Sequence, residues 1–222
     1  MYPVTPAAAI CAPRRQGGFT LIELMVGLTI LSITLAVGWP AMSGWLTATR
    51  AQGASEFYAE GLRLARAEAM KRGVVSRLTL LDNATSGQQD WQVDICLPGL
   101  GVTCHEAGSS WSTVSAPATT SDPADTRGAD FRSVFRKSNS LPGATVMKVT
   151  RFPGAATGVY FTPLGWVDSD PTVAPALSKL QIAPGRANAG AFPAAAVAIT
   201  LAGAVSKCDP AQPVTDSRGC PP

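Results

Sequence analysis

Gly18-Phe19-Thr20-Leu21-Ile22-Glu23-Leu24-Met25 opens an apolar stretch that continues through Leu46, and from Phe19 to Thr49 the only ionisable side chain is Glu23. A helix rises about 1.5 Å per residue, so about 20 apolar residues cover the hydrocarbon core of a bilayer. The stretch is long enough, and it reads as a membrane helix. A carboxylate one turn inside such a helix costs about 2.5 to 3.5 kcal/mol on insertion scales, which makes Glu23 a functional candidate whose partner must come from elsewhere. The plainer reading is an acid near the membrane edge, satisfied by water or headgroups.

On the N-terminal side, residues 1 to 18 read as a leader with a basic end, Arg14-Arg15, and no acid. Those arginines precede the apolar run and no comparable cluster follows it, which puts the N-terminus inside and the rest of the chain on the far side of the membrane. A secretory signal peptide, cleaved after its apolar core, is the competing reading; the core is too long for it and continues as helix. The formal charge of the chain is +3; without Arg14 and Arg15 it is +1, which gives no strong global basicity.

Gly17-Gly18-Phe19-Thr20-Leu21-Ile22-Glu23-Leu24 resembles the motif of type IV pilin-like proteins, whose precursors carry a short basic leader, a Gly, then Phe-Thr-Leu-Ile-Glu and an apolar helix. The resemblance implies cleavage between Gly18 and Phe19 by a prepilin peptidase, and N-methylation of the new terminal Phe19 by the same peptidase/methyltransferase. It also implies that Glu23 pairs with the terminal amine of a neighbouring subunit during assembly. Implied partners are other minor pilins or pseudopilins, the major subunit, an inner-membrane assembly platform, and membrane lipid before assembly.

Further along, Gly38-Trp39-Pro40 falls inside the apolar run, and Pro40 lacks the N–H that would bond to the carbonyl of Ala36, so a kink or local loosening is expected there. Beyond Arg50 the pattern becomes amphipathic: Ala54, Phe57, Tyr58, Gly61, Leu62, Ala65 and Ala69 recur at helical spacing, with Glu56, Glu60, Arg63, Arg66 and Arg72 largely outside the stripe. Gly53 and Gly61 each weaken a helix by up to about 1 kcal/mol, and Gly73 after Lys71-Arg72 is a C-terminal stop. One helix is therefore expected from about Phe19 to Arg72.

The segment Leu62 to Gly73, with its Ala65-Arg66-Ala67-Glu68-Ala69-Met70-Lys71-Arg72 core, is similar to the helix end of the GspH/FimT (FimU-like) branch of minor pilins and pseudopilins. Arg66, Glu68, Lys71 and Arg72 also suit a solvated face with pairs three and four residues apart. Short alternating runs follow at Val74 to Leu81, Trp91 to Cys96, Thr145 to Phe152, Gly158 to Thr162, Leu180 to Ile182 and Ala196 to Val205, the period of half-buried strands. They predict an antiparallel sheet packed on the helix. Connections rich in Ser, Thr, Ala, Pro and Gly run from Ala107 to Arg127 and from Ser169 to Pro175. The expected fold is α+β, a long N-terminal helix packed on a C-terminal antiparallel β-sheet, as in type IV pilins. Its parts are a leader over 1–18, a transmembrane or filament-core half-helix over 19–49, and a periplasmic globular domain over 50–222.

Of the five cysteines, Cys11 lies in the leader, leaving Cys96, Cys104, Cys208 and Cys220 in the part facing the oxidising side. Four cysteines allow three pairings; the local loops, Cys96 with Cys104 and Cys208 with Cys220, are favoured. A zinc site built from these cysteines and His105, the only histidine, lacks short metal-ligand spacing. No metal or cofactor is expected.

An enzyme reading finds no nucleophile-elbow, zinc-helix or phosphate-loop motif and no defensible pair of carboxylates. Nucleic-acid binding is the stronger rival, since Arg132, Arg136, Lys137, Lys148 and Arg151 form a run free of acids that suits phosphates. Against it, residues 73 to 222 hold 11 Lys plus Arg and 11 Asp plus Glu. The DNA-binding relatives in FimT-like proteins carry a Gly-Arg-x-Arg-like motif near the C-terminus, whereas Asp216-Ser217-Arg218-Gly219-Cys220 offers one Arg and a nearby acid. The leading expectation is a minor pilin or pseudopilin that primes or caps assembly of a type IV pilus or a type II secretion pseudopilus. The alternatives are a DNA-uptake minor pilin using Arg132 to Arg151 and Arg218, and an H-type pseudopilin contacting a secreted substrate.

Overall fold

The computed structural model describes residues 18–99, 101–106, 108–168 and 175–221. The leader as far as Gly17, with Cys11, Arg14 and Arg15, lies outside the described residues, as does most of the connection expected from Ser169 to Pro175. The chain divides into two units, residues 1–42 and 43–222.

A single helix, α1, spans Leu21–Arg72 and is continuous through residue 40. It ends at Gly73, whose φ of +65° is the left-handed conformation that glycine adopts without a Cβ penalty. The amides of Gly73 and Val74 both return to Ala69 O, at 2.9 and 3.3 Å. This is the predicted stop. Every large apolar side chain described between Leu21 and Leu46 is exposed, from Leu21 at 79% to Leu46 at 44%.

In the second unit the buried face of α1 is mostly alanine, with the larger Leu62 and Tyr58 between. Ala51, Ala54, Ala59, Leu62, Ala65 and Ala69 are all under 5% exposed, with Tyr58 among them. Small side chains let the helix approach a sheet closely, and at Gly61 an added Cβ would sit 2.8 Å from both Leu78 and Trp91. Strand β1 (Ser76–Asp82) pairs antiparallel with β2 (Gln89–Leu97), setting Leu78 opposite Val93 and Leu80 opposite Trp91. These four, with Ile95, are buried in the main core. The alternation puts Arg77, Gln92 and Asp94 on the opposite face.

The expectation of one sheet is corrected: the strands form two. β3 (Ser110–Trp111) and β4 (Val134–Arg136) both pair with β2, and β6 (Gly158–Phe161) pairs with β1, giving a five-stranded sheet. β5 (Met147–Phe152), β7 (Lys179–Pro184), β8 (Ala195–Ile199) and β9 (Val205–Cys208) form a separate four-stranded sheet in that order. The run from Ala196 to Val205, expected as one strand, contains a hairpin turn at Thr200 to Ala204. Gly203 at φ +73° makes that turn, and the amides of Gly203 and Ala204 are held by Thr200. β3 lies inside the connection expected to be irregular. Disulfides join Cys96 to Cys104 and Cys208 to Cys220.

Candidate functional site

Phe19 and Thr20 lead into the first turn of α1, whose only acid is Glu23. Thr20 caps the helix: its Oγ1 accepts from the Glu23 amide at 3.3 Å, and its carbonyl accepts from Leu24 N at 3.1 Å. Thr20-Leu21-Ile22-Glu23 has the spacing of a capping box, a signal present in the sequence beside the membrane pattern. A carboxylate in the first turn is also favoured by the partial positive charge of the helix N-terminus. Glu23 is therefore stabilised by its own helix. Among the described residues no cation pairs with it, and Phe19 just before it is 83% exposed. If the chain is cut at Gly18, Phe19 gains an α-amine that is largely protonated at neutral pH. One end of the helix then carries both a cation and, one turn on, an anion, each available to a neighbour.

At the other end of α1 the segment Arg66 to Arg72 is more than a solvated face. Arg66 donates from Nε to Gly165 O at 3.0 Å and from Nη2 to Ala202 O at 3.3 Å, fixing two hairpin tips from different sheets to the helix. Arg72 donates to Glu68 Oε2 at 2.8 Å, to Arg127 O at 2.7 Å and to Asp130 Oδ1 at 2.7 Å, and it lies over the Phe131 ring. Burial opposes its charge, but hydrogen bonds to Glu68 and Asp130 outweigh that and raise its pKa above the ordinary arginine value. Lys71 alone fits the solvated description, with Nζ 3.9 Å from Glu68.

The outer face of the five-stranded sheet carries a polar and aromatic layer. Asp94, whose side chain is 1% exposed, accepts from Arg77 Nε at 2.8 Å, from Gln92 and from Ser133, and Arg77 stacks on Trp111. His105 meets Asp168 through Nε2 at 2.9 Å and Tyr160 edge to face. Cys104, next to it, is bonded to Cys96. With those sulfurs joined, the zinc arrangement of cysteines and His105 loses its thiolates. Alternation along β1 and β2 puts Arg77, Gln92 and Asp94 on that face and gives no sign of their contacts or of the approach of His105 and Trp111.

The basic run is divided by the fold. Arg136 ends β4 opposite Trp91, with Lys137 beside it, whereas Lys148 and Arg151 lie on β5 of the other sheet. Three residues apart on a strand, those two point to opposite faces. Arg132 is exposed on the approach to β4. Arg218, in the loop closed by the second disulfide, pairs with Asp216 at 3.2 Å and holds that carboxyl below its ordinary pKa. Nearby on β9, Lys207 pairs with Glu56 of α1.

Comparison with known families gives two matches. The prokaryotic N-terminal methylation motif matches residues 13–39, and type II transport protein GspH matches residues 54–203, which takes in α1 from Ala54 and every strand up to β8. No curated protein and no solved structure matches the chain.

Proposed function

The chain belongs to the family of type II transport protein GspH, and from that membership we propose that it is a minor subunit that primes or caps a type IV pilus or a type II secretion pseudopilus. It is a pilin or pseudopilin subunit, a structural protein held in a membrane by one apolar helix and built into an assembly with its kind. In the proposed mechanism the peptidase cuts between Gly18 and Phe19 and the new amine of Phe19 is methylated. Glu23 then attracts the Phe19 amine of an adjacent subunit, or Phe19 is offered to another subunit's acid. The helix leaves lipid for a filament core, where its apolar side chains pack against neighbouring helices. Pro40, without its N–H, is the point at which the helix bends to fit. Residues from Arg50 onward, on the periplasmic side, choose the neighbours.

The observation that carries this reading is the N-terminus of α1: a capped helix with an acid in its first turn that no cation among the described residues pairs with, and large apolar side chains that are exposed, wherever described, as far as Leu46. Bilayer and helix bundle both suit such a surface, and the acid gives the transfer a direction. Glu23→Ala is expected to leave the second unit folded, with both disulfides formed, and to reduce incorporation into the filament. Undiminished incorporation would refute the pairing role. Gly18→Leu is expected to leave unprocessed precursor in the membrane; mature protein beginning at Phe19 would refute the cleavage assignment.

A further inference from the structure

Four large apolar side chains of the second unit stand in water at adjoining places. The loop Thr162-Pro163-Leu164-Gly165-Trp166 leads from Phe161 to its bridge partner Val167, and Thr200 to Ala204 joins β8 to β9. Val167 N donates to Leu201 O at 2.9 Å, and Arg66 binds the carbonyls of Gly165 and Ala202. The loops are so close that a Cβ at Gly203 would lie 1.9 Å from Gly165 O, and one at Gly165 would lie 2.6 Å from Met70 Sδ. Leu164 is 71% exposed, Trp166 59%, Leu201 74% and Met70 46%. Neither loop has an ionisable residue.

We propose that Met70, Leu164, Trp166 and Leu201 form a docking surface for an uncharged, apolar patch on the globular part of a different pilin-type subunit anchored in the same membrane or filament. The proposal rests on the filament reading above. Taking about 200 Å² for a large side chain fully in water, the four exposures amount to on the order of 500 Å². That is within the range at which an apolar patch on a monomer marks a contact. A specific complex between free proteins covers about 800 Å² on each partner, so this surface would hold a free partner poorly, and a subunit that primes or caps a filament meets other subunits rather than copies of itself. Chains anchored by their helices in one membrane or filament meet at effective concentrations of order mM, where a smaller contact suffices. Because the loops carry no ionisable side chain and the Arg66 guanidinium beside them is engaged by their carbonyls, a partner that placed a charged group on them would bury it poorly paired, which selects for an uncharged face.

The test replaces Leu201 with a photo-crosslinking phenylalanine analogue in the full-length chain in its own cells, with Leu164 as a second position and Val214, 68% exposed and outside the cluster, as reference. Illumination is expected to give, from positions 201 and 164, an adduct whose peptides identify another pilin-type subunit. Trp166→Ser is expected to lower the yield at 201 by about fivefold, the effect of removing one anchor from a small contact. The proposal is overturned by an adduct between two copies of this chain, by an adduct with a protein that is not a pilin-type subunit, or by no adduct from chains found in the filament. Maturation at Phe19 and incorporation are scored in the same cells. Their loss would overturn the filament reading and the docking surface together, whereas their presence without the adduct overturns the docking surface alone.

Discussion

Replacing Gly61 with alanine should destabilise the second unit, while the same change at Gly53 should stabilise it. Both glycines lie inside α1, and both substitutions gain helix propensity of up to about 1 kcal/mol. The surroundings differ. Around Gly53 nothing lies within 4 Å of the added Cβ, whereas at Gly61 it would sit 2.8 Å from Leu78 Cδ1 and 2.8 Å from the ring of Trp91. A leucine methyl can swing away, but Trp91 is fully buried between helix and sheet, so the helix must lift from the sheet or the ring must leave its packing. Overpacking of this kind costs about 1 to 3 kcal/mol, which leaves Gly61→Ala about 0 to 2 kcal/mol less stable after the propensity gain. For a domain of this size 1 kcal/mol corresponds to about 2 to 4 °C in Tm. Thermal unfolding of the detergent-solubilised chain, followed by Trp fluorescence, should therefore place Gly53→Ala a few degrees above the parent and Gly61→Ala at or below it. Equal stabilisation by both would refute the argument that helix and sheet need a glycine where they meet.

Arg72→Ala removes a side chain joined to Glu68, Arg127 O and Asp130. Asp130 is 79% exposed and adds little, so the expected loss of about 2 kcal/mol comes mainly from the Glu68 and carbonyl contacts, read from the urea midpoint. Arg72→Lys should restore only part of it, because a lysine cannot reproduce the guanidinium's fixed fork. Asp90 gives a pH dependence: burial raises its pKa, but hydrogen bonds from Ser138 and Asn83 prevail and hold it below the ordinary value. Its contribution to stability is present above the unfolded pKa, near pH 4, and is lost as pH falls through the lower folded pKa. Asp90→Asn should flatten that acid limb of the stability curve, and parallel curves would contradict the assignment. Changing Cys208 and Cys220 to serine removes a link between positions 12 apart in sequence, which should cost about 3 kcal/mol and make residues 209 to 219 the first site of protease cleavage.

The sequence made the helix and its two characters legible because both are periodic over many residues: an apolar run with a single acid, then small residues three and four apart. Glu23 stood out for the same reason, as the exception in that run. Pairing partners were harder to read. Whether a strand joins one sheet or another is decided by what its edges meet, and β3 and β4, at two and three residues, are too short to show an alternation. The hairpin after Ile199 runs through Leu201-Ala202-Gly203-Ala204, an apolar stretch without a turn dipeptide, so only Gly203 signals the turn. Periodicity also put Arg66 and Arg72 outside the apolar stripe, correctly, without revealing that loops about 60 to 140 residues later come back to use them. The cap at Thr20 has a signal of its own, the spacing to Glu23, which reading Glu23 as a membrane acid passes over. The run of cations from Arg132 to Arg151 shows the converse, since nearness along the chain does not reveal that β4 and β5 join different sheets.

Arg66 has a consequence for how the second unit breathes. Its guanidinium holds the tip of a loop from each sheet, so neither tip can open without giving up a bond to the helix that helps to hold the other. Fluctuations that would otherwise fray the two sheets separately are merged into one larger and rarer opening, and amide protons near Gly165 and Ala202 should exchange with solvent at matching rates. Without that arginine the unit would keep its core and lose its unison.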